Sequence, residues 1–322
     1  MSLRPKLLCT VDFSIAPEAL AVLEQCAEVV RIPADYEKVK AAIHEYDIYW
    51  GHVDLRLDRA LLEGARRLRL IATASTGTNH IDLAAARAQG IEVVSLATEY
   101  ALLETFSATA ELAWMHVLAA TRHFRQAIKE APRSKWPAEH LMGRQLSDLT
   151  LGVIGVGRLG RKVCTYGRAF CRRVIACDPR PFQQEGVEQV DFATLIATAD
   201  VISIHIHLTP ENRGLFNADV FAAMKPGAVL VNTSRGDIID EVALLAALES
   251  GRLAAFGADV LHDEWRPSMT ASPVVQYAET HDNVTITPHI GGASDFSIRE
   301  ARVFIARRIA AMVREKSLPG MR

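Results

Sequence analysis

The run Leu149-Thr-Leu-Gly-Val-Ile-Gly155-Val-Gly157-Arg-Leu-Gly160, then a helical segment, then Val174-Ile-Ala-Cys-Asp178, decides the fold of this chain. An apolar strand enters a glycine turn, the turn opens a helix, and a second strand ends in an acid. These are the parts of a dinucleotide-binding βαβ unit. Gly155 permits the tight turn, Gly157 clears the backbone's approach to a pyrophosphate, and Gly160 lets helix and strand pack closely. The amides of Arg158 and Leu159 are then expected to point at the phosphates, helped by the partial positive charge of the helix N-terminus. Asp178, 18 residues beyond Gly160, is placed to accept both ribose hydroxyls and to repel a 2′-phosphate, so NAD is the expected cofactor. Arg180 can lie over the adenine or accommodate a 2′-phosphate, which leaves NADP as a secondary cofactor.

Strand and helix alternate on both sides of this unit. Upstream, strands at 6–11, 28–32, 47–50, 68–74 and 92–94 are spaced by helices at 17–26, 35–45, 57–64 and 82–89. Asp82 reads as the N-cap of its helix. One long helix is expected from about Leu103 to His123, then a loop, Ala131-Pro-Arg-Ser-Lys-Trp136-Pro. Downstream, strands at 201–206, 228–232, 254–260 and 284–286 alternate with helices at 218–223 and 241–250, and a final helix covers about 294–314. This alternation predicts parallel sheets with right-handed crossovers. The fold class is α/β in two domains. A Rossmann-type doubly wound sheet spans 101–291, and a discontinuous flavodoxin-like domain comprises 1–100 completed by 292–322. The active site is expected in the cleft between them, closed by a hinge.

Composition narrows the function. The 322 residues are 49% apolar and carry a net charge of −2 without charge blocks, so neither nucleic acid nor an anionic membrane is an expected partner. No apolar stretch reaches membrane-spanning length, and the first residues show no signal-peptide pattern. The five cysteines form no C-x-x-C pair, and reduced thiols in a cytoplasmic protein are expected. His205 and His207 share a strand face, but no third ligand stands at suitable spacing, so no metal is expected.

Three later segments carry the chemistry: Val231-Asn-Thr-Ser-Arg235-Gly236-Asp237, Asp259-Val-Leu-His-Asp-Glu264 and Thr287-Pro288-His289-Ile290-Gly291-Gly292. Each follows a strand end, the edge where open α/β sheets bind ligands. Arg235 offers a planar fork matched to a carboxylate. His289 can supply a proton near neutral pH, and a carboxylate on its other nitrogen would fix its tautomer. Taken singly, each has a plainer structural explanation. Their order behind a nucleotide motif makes an acid/base site.

The chain here resembles the D-isomer-specific 2-hydroxyacid dehydrogenases. The matching stretches are Ala74–Asp82, Leu151–Gly160, His205–Leu215, Met224–Gly236, Ala258–Glu264 and Thr287–Ser294. The resemblance implies NAD-dependent interconversion of a 2-hydroxy acid and its 2-oxo acid. It makes Arg235 the binder of substrate carboxylate and carbonyl, His289 the acid/base, and Glu264 its partner. The amides of Ser75, Thr76 and Gly77 would cup the substrate carboxylate. Thr233 and Asp259 would lie near the nicotinamide, with Ile206, His207 and Asn212 lining the cofactor. It also implies a two-fold homodimer through the helix from Leu103 and the Pro132–Pro137 loop, with Trp114 and Trp136 as candidate anchors and intrachain core as the alternative for each. The chain departs from the family at Trp265, where Pro is usual, at His207, where Pro is frequent, and in a longer stretch between Glu264 and His289. Corepressor-like members that sense NAD(H) supply the alternative function.

Overall fold

A computed structural model describes residues 4–133, 136, 139–264, 268–315 and 318. The chain divides into two compact units, Met1–Phe106 with Ala293–Arg322, and Ser107–Gly292. Unit one begins β1 (Lys6–Cys9), α1 (Pro17–Glu24), β2 (Glu28–Arg31), α2 (Tyr36–Ala42), β3 (Ile48–Trp50) and α3 (Arg59–Gly64). It continues β4 (Leu70–Ala72), α4 (Leu83–Ala88), β5 (Glu92–Val94) and α5 (Tyr100–Glu104). Its strands form one parallel sheet in the order β2-β1-β3-β4-β5, the flavodoxin-like arrangement. Period-two alternation divides the core. Leu7, Trp50 and Leu70 face one side; Leu8, Tyr49 and Ile71 face the other, with Val39, Leu61 and Ala86 of the helices. Asp35, Asp58 and Asp82 cap α2, α3 and α4 by accepting from the amide three residues on.

Unit two runs α6 (Ala108–Thr121), α7 (Phe124–Glu130), β6 (Thr150–Ile154), α8 (Arg158–Phe170), β7 (Arg173–Cys177), β8 (Glu188–Gln189) and α9 (Phe192–Thr198). Then follow β9 (Val201–Ile204), α10 (Ala218–Ala223), β10 (Ala228–Asn232), α11 (Glu241–Glu249), β11 (Leu253–Ala258), α12 (Pro273–Thr280) and β12 (Val284–Ile286). The sheet is parallel throughout, in the order β12-β11-β10-β9-β6-β7-β8. Chain direction across the sheet reverses between β6 and β9, the switch point at which doubly wound sheets take nucleotides. One face packs Ile175, Ile202, Leu230 and Phe256 against the helices α9 to α12. The other packs Leu151, Val153 and Val229 against α6 and α8. The chain then returns to unit one as α13 (Asp295–Arg314), capped by Ser294, whose Ala301, Ile305 and Ile309 join the core around Leu7 and Trp50.

The single helix expected from Leu103 to His123 is two. The Thr105 hydroxyl turns back to the Leu102 carbonyl, and Ser107 starts a new helix by accepting from the Ala110 and Glu111 amides. The Thr105 hydroxyl competes for a backbone carbonyl at the break, while the Ser107 hydroxyl donates to the Glu111 carboxylate. Trp114 is likewise no surface anchor. It is 8% exposed and packs against Tyr166 and Phe170 of α8, with ring centroids 6.1 and 5.3 Å away. Helices α7, α9 and α12 and the short β8 had no counterpart in the sequence reading, and α12 fills the lengthened stretch before His289. Trp265 lies outside the described residues.

Candidate active site

The nucleotide turn is built from backbone constraints. Gly155 has φ +89, and its amide donates to the Cys177 carbonyl at 2.8 Å, tying β6 to the end of β7. A Cβ on Gly160 would land on the Gly155 carbonyl oxygen, so helix and turn touch backbone to backbone. A Cβ on Gly157 would meet nothing within 4 Å, which leaves open space where a pyrophosphate would lie. The ladder of α8 opens with Arg161 donating to the Gly157 carbonyl at 3.0 Å, so the amides of Arg158 and Leu159 precede it at the helix N-terminus.

Asp178 follows β7 and is oriented by this turn. Its Oδ2 accepts from the Val156 amide at 2.9 Å and its Oδ1 from the Arg180 amide at 3.0 Å. The Arg180 guanidinium stands 3.5 Å from Oδ1 and is 82% exposed. Burial raises the Asp178 carboxyl, the two amides and the guanidinium lower it, and the balance lies below the usual value. It is therefore a fixed carboxylate at neutral pH.

On the other side of the switch point, the His205 amide donates to the Ile154 carbonyl at 2.7 Å, and its ring bonds Ser203 Oγ at 2.8 Å. Burial pushes this imidazole down to about 4. His205 is therefore a neutral strut beneath the glycine turn. Ile206 packs on the core beside it. Asn212 holds its loop in shape, accepting from the Thr209 amide and donating to the His207 carbonyl at 2.7 Å. Thr233 is 7% exposed, and its Oγ1 is buried with no partner. A buried hydroxyl left unsatisfied at a strand end fits a site that a cofactor amide completes.

Arg235, Glu264 and His289 follow β10, β11 and β12, three adjacent strands. Buried Asn232 shapes the first turn, accepting from Ser234 and donating to the Arg235 carbonyl at 2.9 Å. Arg235 is half-buried and donates from Nη1 to the Ser234 carbonyl. A Cβ on Gly236 would overlap the Leu261–His262 backbone, so the arginine turn rests on the segment that leads to Glu264. Asp237 and His262 pin that contact at 2.8 Å.

Glu264 Oε1 lies 2.7 Å from His289 Nδ1, the pairing expected from the sequence. Backbone strain sits on both sides of it: Asp263 has φ 50 and His289 φ 52, left-handed values that non-glycine residues seldom adopt. Asp259 holds the strained loop. Its Oδ1 accepts from the Thr287 hydroxyl at 2.6 Å and the Ile290 amide at 2.8 Å, its Oδ2 from the Gly291 amide at 2.7 Å, and its carbonyl from the His289 amide at 2.9 Å. Burial pushes this carboxyl up against the opposing effect of those donors. Thr287, Asn232 and Asp237 are structural members of the site that were not singled out in the sequence.

In unit one, Ser75 closes the loop after β4. Its hydroxyl donates to the Gly77 carbonyl at 2.7 Å and lies 2.9 Å from Thr73 Oγ1.

Residues 114–291 match the family model described as D-isomer specific 2-hydroxyacid dehydrogenase, NAD binding domain. The chain is 35% identical over 278 residues to D-3-phosphoglycerate dehydrogenase of Archaeoglobus fulgidus, covering 85% of this chain and 50% of that protein. It is 32% identical to hydroxypyruvate reductase of Thermotoga maritima, covering 88% of this chain and 90% of the relative. It superposes with TM-score 0.80 and 27% identity on D-lactate dehydrogenase from Aquifex aeolicus complexed with NAD and lactic acid, over 97% of this chain and 96% of that one. The chain spans about half the length of the phosphoglycerate dehydrogenases it matches.

Proposed function

The chain belongs to the D-isomer-specific 2-hydroxyacid dehydrogenase family, and on that premise we propose that it interconverts a D-2-hydroxy acid and its 2-oxo acid with NAD(H). The observation that carries the reading is the 2.7 Å pair of Glu264 and His289 on strained backbone beside Asp259. Nδ1 faces the carboxylate, so Nε2 is the nitrogen that exchanges a proton with substrate. Arg235 binds the substrate carboxylate and polarises the carbonyl. Bound NADH supplies the hydride to the carbonyl carbon. The imidazolium of His289 gives its proton to the carbonyl oxygen and ends neutral; oxidation runs the same transfers in reverse.

Asp178 supports NAD over NADP. The free, partly buried cysteines support a reducing, cytoplasmic setting. The homodimer rests on the apolar surface of α7 and the following loop: Phe124, Ile128, Trp136 and Met142 are 52, 58, 78 and 81% exposed. The reading is tested by supplying purified protein and NADH with glyoxylate, hydroxypyruvate, pyruvate or phosphohydroxypyruvate. Turnover of one or more of these sustains it. Tight NADH binding with no turnover replaces it by the NAD(H)-sensing function.

A further inference from the structure

His116 lies in the middle of α6 and is 0% exposed. An apolar side chain would fill that position at lower cost, because one ring nitrogen, Nδ1, is buried without a partner. The other nitrogen is engaged: Nε2 is 3.1 Å from Thr287 Oγ1. The Thr287 hydroxyl has one hydrogen, and it goes to Asp259 Oδ1 at 2.6 Å. Thr287 therefore accepts from His116, which fixes the imidazole as the Nε2–H tautomer. Burial holds His116 down to about 4, so it is a neutral donor throughout the neutral range and does not act as a switch.

The bonds run on from there. Asp259 receives the amides of Ile290 and Gly291, and its carbonyl receives that of His289. Space has been cleared for this arrangement. A Cβ on Gly257 of β11 would lie 2.7 Å from the His116 Cβ, and one on Gly291 would lie 2.8 Å from Asp259 Oδ2. Each donor in such a series strengthens the next, and the left-handed turn at His289 persists only where its surroundings over-determine it.

We propose that His116 is a positioning residue for His289: from the interior of unit two it fixes, through Thr287 and Asp259, the backbone that aims the His289 ring. The positioning of an acid/base rests on the function proposed above; the restraint of the loop does not. Nothing in α6 touches the reacting groups by this route, so the effect belongs to geometry and not to proton transfer.

The test uses His116→Leu, His116→Gln, Thr287→Val and the Leu/Val double variant of the full chain. Gln carries an N–H near the reach of Nε2; Leu carries none. Two measurements are made with NADH present: amide hydrogen exchange at Ile290 and Gly291 against amides of β10, and kcat and KM with hydroxypyruvate. In His116→Leu and Thr287→Val, exchange at Ile290 and Gly291 rises about tenfold while β10 is unchanged. kcat falls about three- to tenfold with KM for NADH unaltered. The double variant is no worse than Thr287→Val alone, and Gln restores the native values. The proposal is overturned if exchange at the two amides is unchanged in His116→Leu, if it rises equally in β10, if Gln behaves as Leu does, or if the double variant is additive. His289→Asn is run alongside. If it keeps native kcat, the acid/base reading fails, while the exchange data still decide the restraint.

Discussion

Glu264→Gln removes one charge and preserves the shape of the side chain. Its effect can be worked from the 2.7 Å contact with His289 Nδ1. Two unit charges about 4 Å apart attract by roughly 4 kcal/mol at an effective dielectric of 20. Glu264 is 16% exposed but His289 is 38% exposed, so water screens much of this attraction. What remains is of the order of one charge-assisted hydrogen bond, about 1.5 kcal/mol. At about 1.4 kcal/mol per tenfold, losing that bond costs up to about tenfold in rate. The substitution leaves the equilibrium constant of the reaction unchanged, so kcat/KM falls by the same factor for reduction and for oxidation. Steady-state NADH absorbance in both directions reads this loss, with NADH affinity measured separately by fluorescence. Native kcat/KM in the variant, or a loss accounted for by weaker NADH binding, would refute the electrostatic role of Glu264.

Asp178→Ala should lower the ratio of kcat/KM for NADH over NADPH by up to about a hundredfold, a few hydrogen bonds' worth; a native preference for NADPH would sink the assignment. Gly160→Ala forces a methyl group onto the Gly155 carbonyl, so NADH binding should be lost with about 3 kcal/mol or more of stability, read by fluorescence and thermal unfolding. Asp200, 3% exposed, accepts from Lys225, Arg144 and the Thr150 amide; burial raises its carboxyl, these donors lower it, and the balance is below the reference 3.8. Its stabilisation is then complete above that reference and is lost as pH falls through the lower native value. Asp200→Asn should cost about 3 kcal/mol at neutral pH and reduce the acid loss of stability, and equal acid sensitivity in variant and native protein would contradict this. Native protein sized in solution at micromolar concentration should be a dimer; a monomer removes that proposal, and a dimer that survives Trp136→Ala removes only Trp136 as an anchor.

Legibility from sequence followed the range of the physics involved. β10, β12 and α10 were placed to the residue, because apolar runs bounded by turn residues are local signals. The glycine turn and Asp178 were legible because each residue type answers one steric or electrostatic demand. The break at Thr105–Ser107 was not, since helical periodicity continues through it and the bond from the Thr105 hydroxyl back to Leu102 leaves that periodicity unmarked. Trp114 looked like an anchor because a large apolar residue on a long helix has no address until Tyr166 and Phe170 of α8 are placed beside it. His289 was legible through its neighbours in the chain, but its left-handed backbone was not. The groups that hold it there, Asp259 and Thr287, act through contacts across adjacent strands. His116 is separated from Thr287 by most of unit two, and no pattern in the chain joins them.

The return of α13 to unit one has a consequence for the order of synthesis. On a ribosome, β1 to β5 emerge first, yet the apolar face formed by Leu7, Phe13, Ala19 and Leu23 is covered by Ala301, Ile305 and Ile309. Those residues do not exist until all of Ser107–Gly292 has been translated. The middle of the chain can therefore close its core before the beginning can. A stalled nascent chain ending before α13 should carry a finished nucleotide unit and an N-terminal segment still open to protease and chaperone.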